Sequence, residues 1–197
     1  MRHVTIALAL IAACLGDVEA QMTESWTSGG TGRGTARWEM QERQLVYRGG
    51  ADFGWAVRGP AIQDGTVEVR FRALEGRSDQ AGGVVWRWQD AHNYYIARAN
   101  ALENNVVAYK MVGGKRTDLK PVGAGARAYG VSATVTPRVW HTLRVEFRGD
   151  EFTVLFDAGA AGFSVRDPVL TSPGRVGVWS KADSVTEFDG FQYTATK

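Results

Sequence analysis

Apolar and polar residues alternate with a period of two along several short stretches of the chain. Thr66-Val67-Glu68-Val69-Arg70-Phe71-Arg72 and Thr142-Leu143-Arg144-Val145-Glu146-Phe147-Arg148 both put apolar side chains at every second position, the pattern of a strand with one buried and one wet face. Gly149-Asp150 breaks the second run, and Glu151-Phe152-Thr153-Val154-Leu155-Phe156-Asp157 then alternates again, which predicts a hairpin. Further strands are expected over 36–40, 44–48, 82–89, 94–100, 105–112, 175–180 and 185–194, where aromatic and β-branched residues cluster between turn formers. No helix-length apolar period appears. About ten short strands at this spacing predict an all-β fold, a two-sheet antiparallel sandwich.

Two segments read as loop. Thr27 to Thr35 (TSGGTGRGT) is small and glycine-rich, and lacks the Gly-Lys-Ser/Thr of a phosphate loop. Residues 120–137 are rich in Gly, Ala and Pro and are expected to cross between the sheets. The N-terminus reads differently. Arg2 precedes an uncharged run from Val4 to Leu15, followed by Val18 and Ala20 at the small-residue positions of a cleavage site, the plan of a secretory signal peptide. The run is about 12 residues, short of the roughly 20 that span a bilayer. Ile11-Ala12-Ala13-Cys14 also fits a lipoprotein box, so Cys14 is a second candidate for the processing site. The expected organisation is a signal peptide over 1–20, a flexible segment over 21–35 and a sandwich domain over 36–197, in the periplasm or secreted. Cys14 being the sole cysteine, the folded domain is expected to hold no disulfide.

Composition narrows the partners. A formal net charge of +2 over 197 residues, with charges interspersed, argues against a nucleic-acid partner, which calls for a concentrated basic face. No second apolar stretch is long enough for a transmembrane segment. His92 and His141 are the imidazoles outside the signal, and no Gly-x-Ser-x-Gly elbow occurs, which leaves a serine triad and a zinc site without support. No cofactor is called for. Loop carboxylates and carbonyls leave room for a structural calcium ion, although no dense acidic loop marks one.

The residues that could grip a sugar concentrate between Trp86 and Lys110. Aromatic rings cover C–H patches, while amides, carboxylates and guanidinium groups bond vicinal hydroxyls. In the strand 94–100, alternation places Tyr94, Ile96, Arg98 and Asn100 on one face and Tyr95, Ala97 and Ala99 on the other. A row of Arg87, Arg98, Asn100 and Lys110 is expected to line a groove, with Glu103 and Asn105 at its rim. Trp179 precedes the polar loop Ser180-Lys181-Ala182-Asp183-Ser184, where Trp179, Lys181 and Asp183 are further candidates. The bland alternatives stand beside these: Trp86 and Trp88 as core, Arg98 and Asn100 as solvated face, Glu103 as a turn residue, Trp140-His141 as structural.

Taken in order, Gly82 to Asp90 (GGVVWRWQD), Asn93 to Asn105 (NYYIARANALENN), Tyr109-Lys110, Gly114-Lys115-Arg116, Trp140 to Val145 (WHTLRV), Gly174 to Ser184 (GRVGVWSKADS) and Phe188-Asp189-Gly190-Phe191 resemble the 3-keto-disaccharide hydrolase-like domain family of the concanavalin A-like lectin/glucanase superfamily. The resemblance spans roughly residues 36–194. It implies a jelly roll whose concave face could hold carbohydrate, in a family of often exported proteins of which some cleave 3-keto-glycosides. For such a sugar, one base and one electrophile suffice; Glu103 or Asp183 would be the base, and Arg98 or Lys110 the electrophile. Of the Glu-x-Asp-x-x-Glu series of the β-glucanases, Glu187-Phe188-Asp189 supplies the first two acids, and Gln192 and Tyr193 follow where a third would be needed. A carbohydrate-binding domain, a 3-keto-glycoside hydrolase or lyase, and a structural accessory protein are the three functions left open.

Overall fold

The computed structural model describes residues 24–196; the signal-peptide reading, Cys14 included, lies outside them. Fifteen strands succeed one another: β1 (Thr27–Gly34), β2 (Trp38–Gln41), β3 (Gln44–Arg48), β4 (Ala51–Ile62), β5 (Gly65–Glu75), β6 (Ala81–Asp90), β7 (Asn93–Asn100), β8 (Asn105–Val112), β9 (Lys115–Leu119), β10 (Val131–Ser132), β11 (His141–Arg148), β12 (Glu151–Phe156), β13 (Ala161–Arg166), β14 (Gly174–Ala182) and β15 (Val185–Ala195). They form two antiparallel sheets. The first runs β1-β4-β14-β6-β7-β8-β10, with β9 also on β8, and the second runs β13-β12-β11-β5-β15-β3-β2. This is the expected two-sheet jelly-roll sandwich. Among the described residues no helix is long and apolar enough to cross a membrane.

The alternating runs behave as their pattern requires. Val67, Val69 and Phe71 of β5, Leu143, Val145 and Phe147 of β11, and Phe152, Val154 and Phe156 of β12 point into the space between the sheets, where Trp86, Tyr95, Ala97 and Ala99 of the first sheet meet them. Trp86 stacks on Tyr95 at 5.4 Å and meets Phe152 edge-on at 5.3 Å, geometries that add to plain area burial.

Residues 27–34 are strand rather than the expected loop. Backbone pairing, with Thr31 the one buried side chain of the strand, holds β1 on β4, and Ser28, Gly29 and Gly30 pair with Ala56, Trp55 and Gly54. The missing side chain is what permits it: a Cβ on Gly29 would lie 2.7 Å from the Trp55 ring. β4 and β9 likewise lack a clear alternation, whereas β13 carries a short one, Phe163-Ser164-Val165-Arg166, outside the expected strands.

The first sheet also has a second buried cluster, on the face turned away from the sandwich core. Trp55, Val57, Val85, Tyr94, Ile96, Val107, Tyr109, Met111 and Trp179 compose it. Its burial comes from curvature. Phe53 on β4 and Arg116 on β9 are five inter-strand steps apart, roughly 24 Å on a flat sheet at about 4.8 Å per step. Yet the Arg116 guanidinium sits 4.7 Å from the Phe53 ring. The sheet therefore curls over this face until its edges meet, and Thr31 of β1 closes the same side by bonding the Tyr94 hydroxyl at 2.9 Å.

Candidate functional site

Alternation along β7 puts Arg98 and Asn100 on the curled outer face, as expected, but neither is solvated. Both are fully buried. The Arg98 guanidinium donates through Nη2 to Glu103 Oε2 at 2.7 Å, to the Tyr109 hydroxyl at 3.0 Å and to the Tyr129 hydroxyl at 3.3 Å, and through Nη1 to Asn105 Oδ1. Burial works against the Arg98 charge, but Tyr109 and Glu103 beside it outweigh that, and its pKa is raised. Glu103 is the mirror case. Burial pushes its carboxyl up, the Arg98 charge and hydrogen bond pull it down further, and the net pKa is lowered.

Asn100 extends the same network. Its amide donates to Asp79 Oδ1 at 2.8 Å and Glu103 Oε1 at 2.9 Å, while its carbonyl oxygen accepts the Leu102 N–H at 3.0 Å. Lys181 closes the row on Asp79 at 2.8 Å, with two further ammonium donors to offer. Two cations, Arg98 and Lys181, flank two carboxylates, Glu103 and Asp79, which the Asn100 amide bridges, so the set is neutral in total. Its inner members are buried and its outer members reach the surface: the Glu103 side chain is 35% exposed, and Tyr129 is 45% exposed.

Between Arg98 and Trp179 stands Gly83, paired with both in the sheet. A Cβ there would lie 2.4 Å from the Ala97 carbonyl oxygen and 3.0 Å from the Arg98 Cβ, so glycine lets the arginine stem lie close. Trp179 itself is fully buried and stacks against Phe53 at 5.8 Å. It floors the aromatic end of the face instead of standing free as a sugar platform.

Asp183 has a different task from the one expected. Its carboxylate accepts the backbone N–H groups of Arg77 (2.7 Å), Ser78 (3.0 Å) and Asp79 (3.1 Å), and so fixes the turn that presents Asp79. Burial raises its pKa, these backbone bonds outweigh that, and the net shift is downward. A carboxyl with a depressed folded pKa stabilises the fold above its unfolded pKa and ceases to as pH falls through the folded value. We expect Asp183→Asn to cost about 1 kcal/mol at pH 7, and the deficit against wild type to shrink below about pH 4. Urea unfolding at pH 7 and pH 3 measures this; a deficit that persists unchanged in acid would refute the assignment.

Two expected members lie elsewhere. Arg87 is fully buried, but a positive φ of 46° turns it out of the alternation, and its guanidinium enters the end of the sandwich core beside Phe152 at 5.4 Å. Lys110 shares its face with the inward Ala108 and pairs Asp167 at 2.6 Å, a carboxylate that also accepts the Tyr95 hydroxyl at 2.7 Å. Neither reaches the Arg98 network. Glu187 and Asp189 lie on β15 in the second sheet, where Arg72 and Arg70 engage them. Sequence reading missed Asp79, Tyr109 and Tyr129. Tyr109 was findable by alternation from Met111, whereas Asp79 and Tyr129 sit in connections with no period to follow.

The fold is a two-sheet antiparallel jelly roll of concanavalin A-like type. No protein-family model matches the chain, and no curated protein matches it in sequence. Solved structures do. A carbohydrate binding module, CBM66 from Bacillus subtilis, is 21% identical with a TM-score of 0.69, over 86% of this chain and 95% of that one. A prokaryotic β-1,3-1,4-glucanase (lichenase) derived from a mouse hindgut metagenome is 13% identical with a TM-score of 0.59, over 87% and 93%. A Bacillus subtilis protein of unknown function with a galectin-like fold is 10% identical with a TM-score of 0.57, over 86% and 88%. At these identities the likeness is one of fold.

Proposed function

We propose that the chain is an exported carbohydrate-binding domain, acting in the periplasm or outside the cell, whose curled outer face holds a sugar at the rim formed by Glu103, Asn105, Tyr129 and Lys181. The supporting observation is the gradient along one network, with a fully buried guanidinium and amide at its inner end and a half-exposed carboxylate, amide and phenol at its outer end. Buried partners freeze the outer groups before any ligand arrives, which lowers the ordering cost of binding. Planar carboxylate and amide groups so held suit adjacent hydroxyls, and the Tyr129 ring offers a face for C–H bonds. The carbohydrate binding module and the glucanase among the structural neighbours agree with this reading.

The runner-up, hydrolysis or elimination on a 3-keto-glycoside, gains one observation: Glu103 and Arg98 are adjacent, as a base and an electrophile would be. The same adjacency weakens it, because the ion pair that lowers the Glu103 pKa makes the carboxylate a poorer base. Affinity electrophoresis against neutral and acidic polysaccharides tests binding. Glu103→Gln should weaken the best ligand about 10- to 100-fold, the worth of one charge-assisted hydrogen bond. Full retention of affinity would remove the rim from the site. Mass spectrometry of native and 3-keto disaccharides incubated with the mature chain tests catalysis; new masses that vanish with Glu103→Gln would replace binding by turnover.

A further inference from the structure

The cation at the other end of the curled face has no anion among the described residues. Arg116 projects from β9 with its guanidinium carbon 4.4 Å from the Tyr109 ring centroid and 4.7 Å from that of Phe53. Ring contacts satisfy the faces of a guanidinium and leave the N–H groups around its edge to be bonded in plane. No acceptor among the described residues bonds them. Nη1 is buried with no acceptor among the described residues. The nearest acid on its own strand, Asp118, is engaged by Lys120 at 2.6 Å, and the Glu103 carboxylate is committed to Arg98, Asn100 and Asn105. Trp88 Nε1 and Trp179 Nε1 in the same cluster, and Arg98 Nε on the same face, are likewise buried with no acceptor among the described residues. Every other charged group described on this face, Arg98, Glu103, Asp79 and Lys181, has an opposite partner.

A purely structural arginine explains the ring contacts but not the unused edge. Buried N–H donors are nearly always satisfied in folded proteins, and an unmade bond to a charged group is expensive. We infer that Arg116 is the anchor for a carboxylate of the ligand, so that the sugar bound on this face is a uronic acid or a glycan bearing one. This rests on the sugar-binding reading above and narrows its substrate class. A planar carboxylate matches the in-plane fork of the guanidinium with two parallel bonds. The phenol of Tyr109, between Arg116 on its ring and Arg98 at its hydroxyl, links the anion site to the hydroxyl-binding rim. Phe53, half-buried and in contact with the guanidinium, offers apolar surface beside it for the sugar ring.

The test pairs each of several uronic-acid polysaccharides (polygalacturonate, alginate, glucuronoxylan) with its carboxyl-reduced counterpart and measures their binding to the mature chain by affinity electrophoresis and titration calorimetry. At least one acidic member should bind tenfold or more tightly than its reduced form. Arg116→Gln should abolish that preference while leaving residual binding to the reduced form, and Arg116→Lys, which keeps charge but not the fork, should restore only part of it. Thermal melting of both variants shows that they fold. Equal binding of acidic and reduced partners overturns the carboxylate assignment and leaves the sugar reading intact. An acidic preference that survives Arg116→Gln overturns the role of Arg116. Failure of the wild-type chain to bind any polymer of either kind overturns both readings.

Discussion

Replacing Arg87 by alanine should be among the most destabilising single changes in the molecule, at about 3–5 kcal/mol, while leaving ligand affinity unchanged below the melting transition. The side chain is a staple. Nε donates to the Gln63 carbonyl at 3.2 Å, Nη1 to the Leu170 carbonyl at 2.9 Å, and Nη2 to the Gly149 carbonyl at 2.6 Å and Asp64 at 3.2 Å. These acceptors come from the β4–β5 turn, the β13–β14 connection and the β11–β12 turn, so one guanidinium ties three chain reversals to the first sheet. Removal strands buried carbonyls that no water replaces at once and opens a cavity against Phe152. For a domain of this size such a loss corresponds to a fall in Tm of roughly 10 °C or more. Arg87→Lys should recover little, since a single ammonium cannot reach four acceptors spread around a planar fork. Thermal and urea unfolding measure the effect. A Tm within two degrees of wild type would show that the staple is dispensable.

Why Arg87 was not legible as a staple is instructive about the rest of the sequence. Strict alternation on β6 would place it opposite Trp86 and on the side of Arg98. The ladder slips at this point on both flanks, between Trp86 and Asp90 against β7 and between Arg175 and Gly177 against β14, and the positive φ at Arg87 swings the side chain back into the sandwich. A bulge of this kind depends on neighbouring strands distant in sequence, so no local pattern announces it. On β7 the ladder is regular from Tyr94 to Asn100, and there the two faces came out as alternation required. Lys110 shows a third outcome. Its strand is regular, but β8 faces the core at even positions and the outer face at odd ones, so that Tyr109, not Lys110, joins Arg98. Register between strands decided it, and register is set by long-range pairing. The glycine-rich β1 failed differently again: its small residues, read as flexibility, are clearance for Trp55. Tyr129 reaches the site from the Gly-, Ala- and Pro-rich connection over 120–137, where no period marks a side chain's direction.

The second large effect is expected at Arg98, where stability and binding should fall together. Arg98→Met keeps the apolar stem but removes every donor that holds Glu103, Asn105, Tyr109 and Tyr129 in place. Because the Glu103 side chain is 35% exposed, its carboxylate can rehydrate, so the cost should be lower than for a fully enclosed pair, about 2–3 kcal/mol at pH 7. Ligand affinity should drop at least about 100-fold, since the rim loses the partner that orients it. The pH dependence separates this from simple loss of packing. Glu103 has its folded pKa lowered, largely by Arg98 acting against burial; its stabilising contribution is present above the unfolded value of about 4.3 and is lost as pH falls through the lower folded one. The stability gap between wild type and Arg98→Met should therefore be full at pH 7 and contract in acid, once Glu103 is neutral and the wild-type guanidinium is left without its counter-charge. Glu103→Gln should show a smaller gap that contracts over the same interval. A gap for Arg98→Met that holds constant from pH 7 to pH 3 would mean that the methionine variant fails through packing alone, and that the Arg98–Glu103 pair does not organise the face.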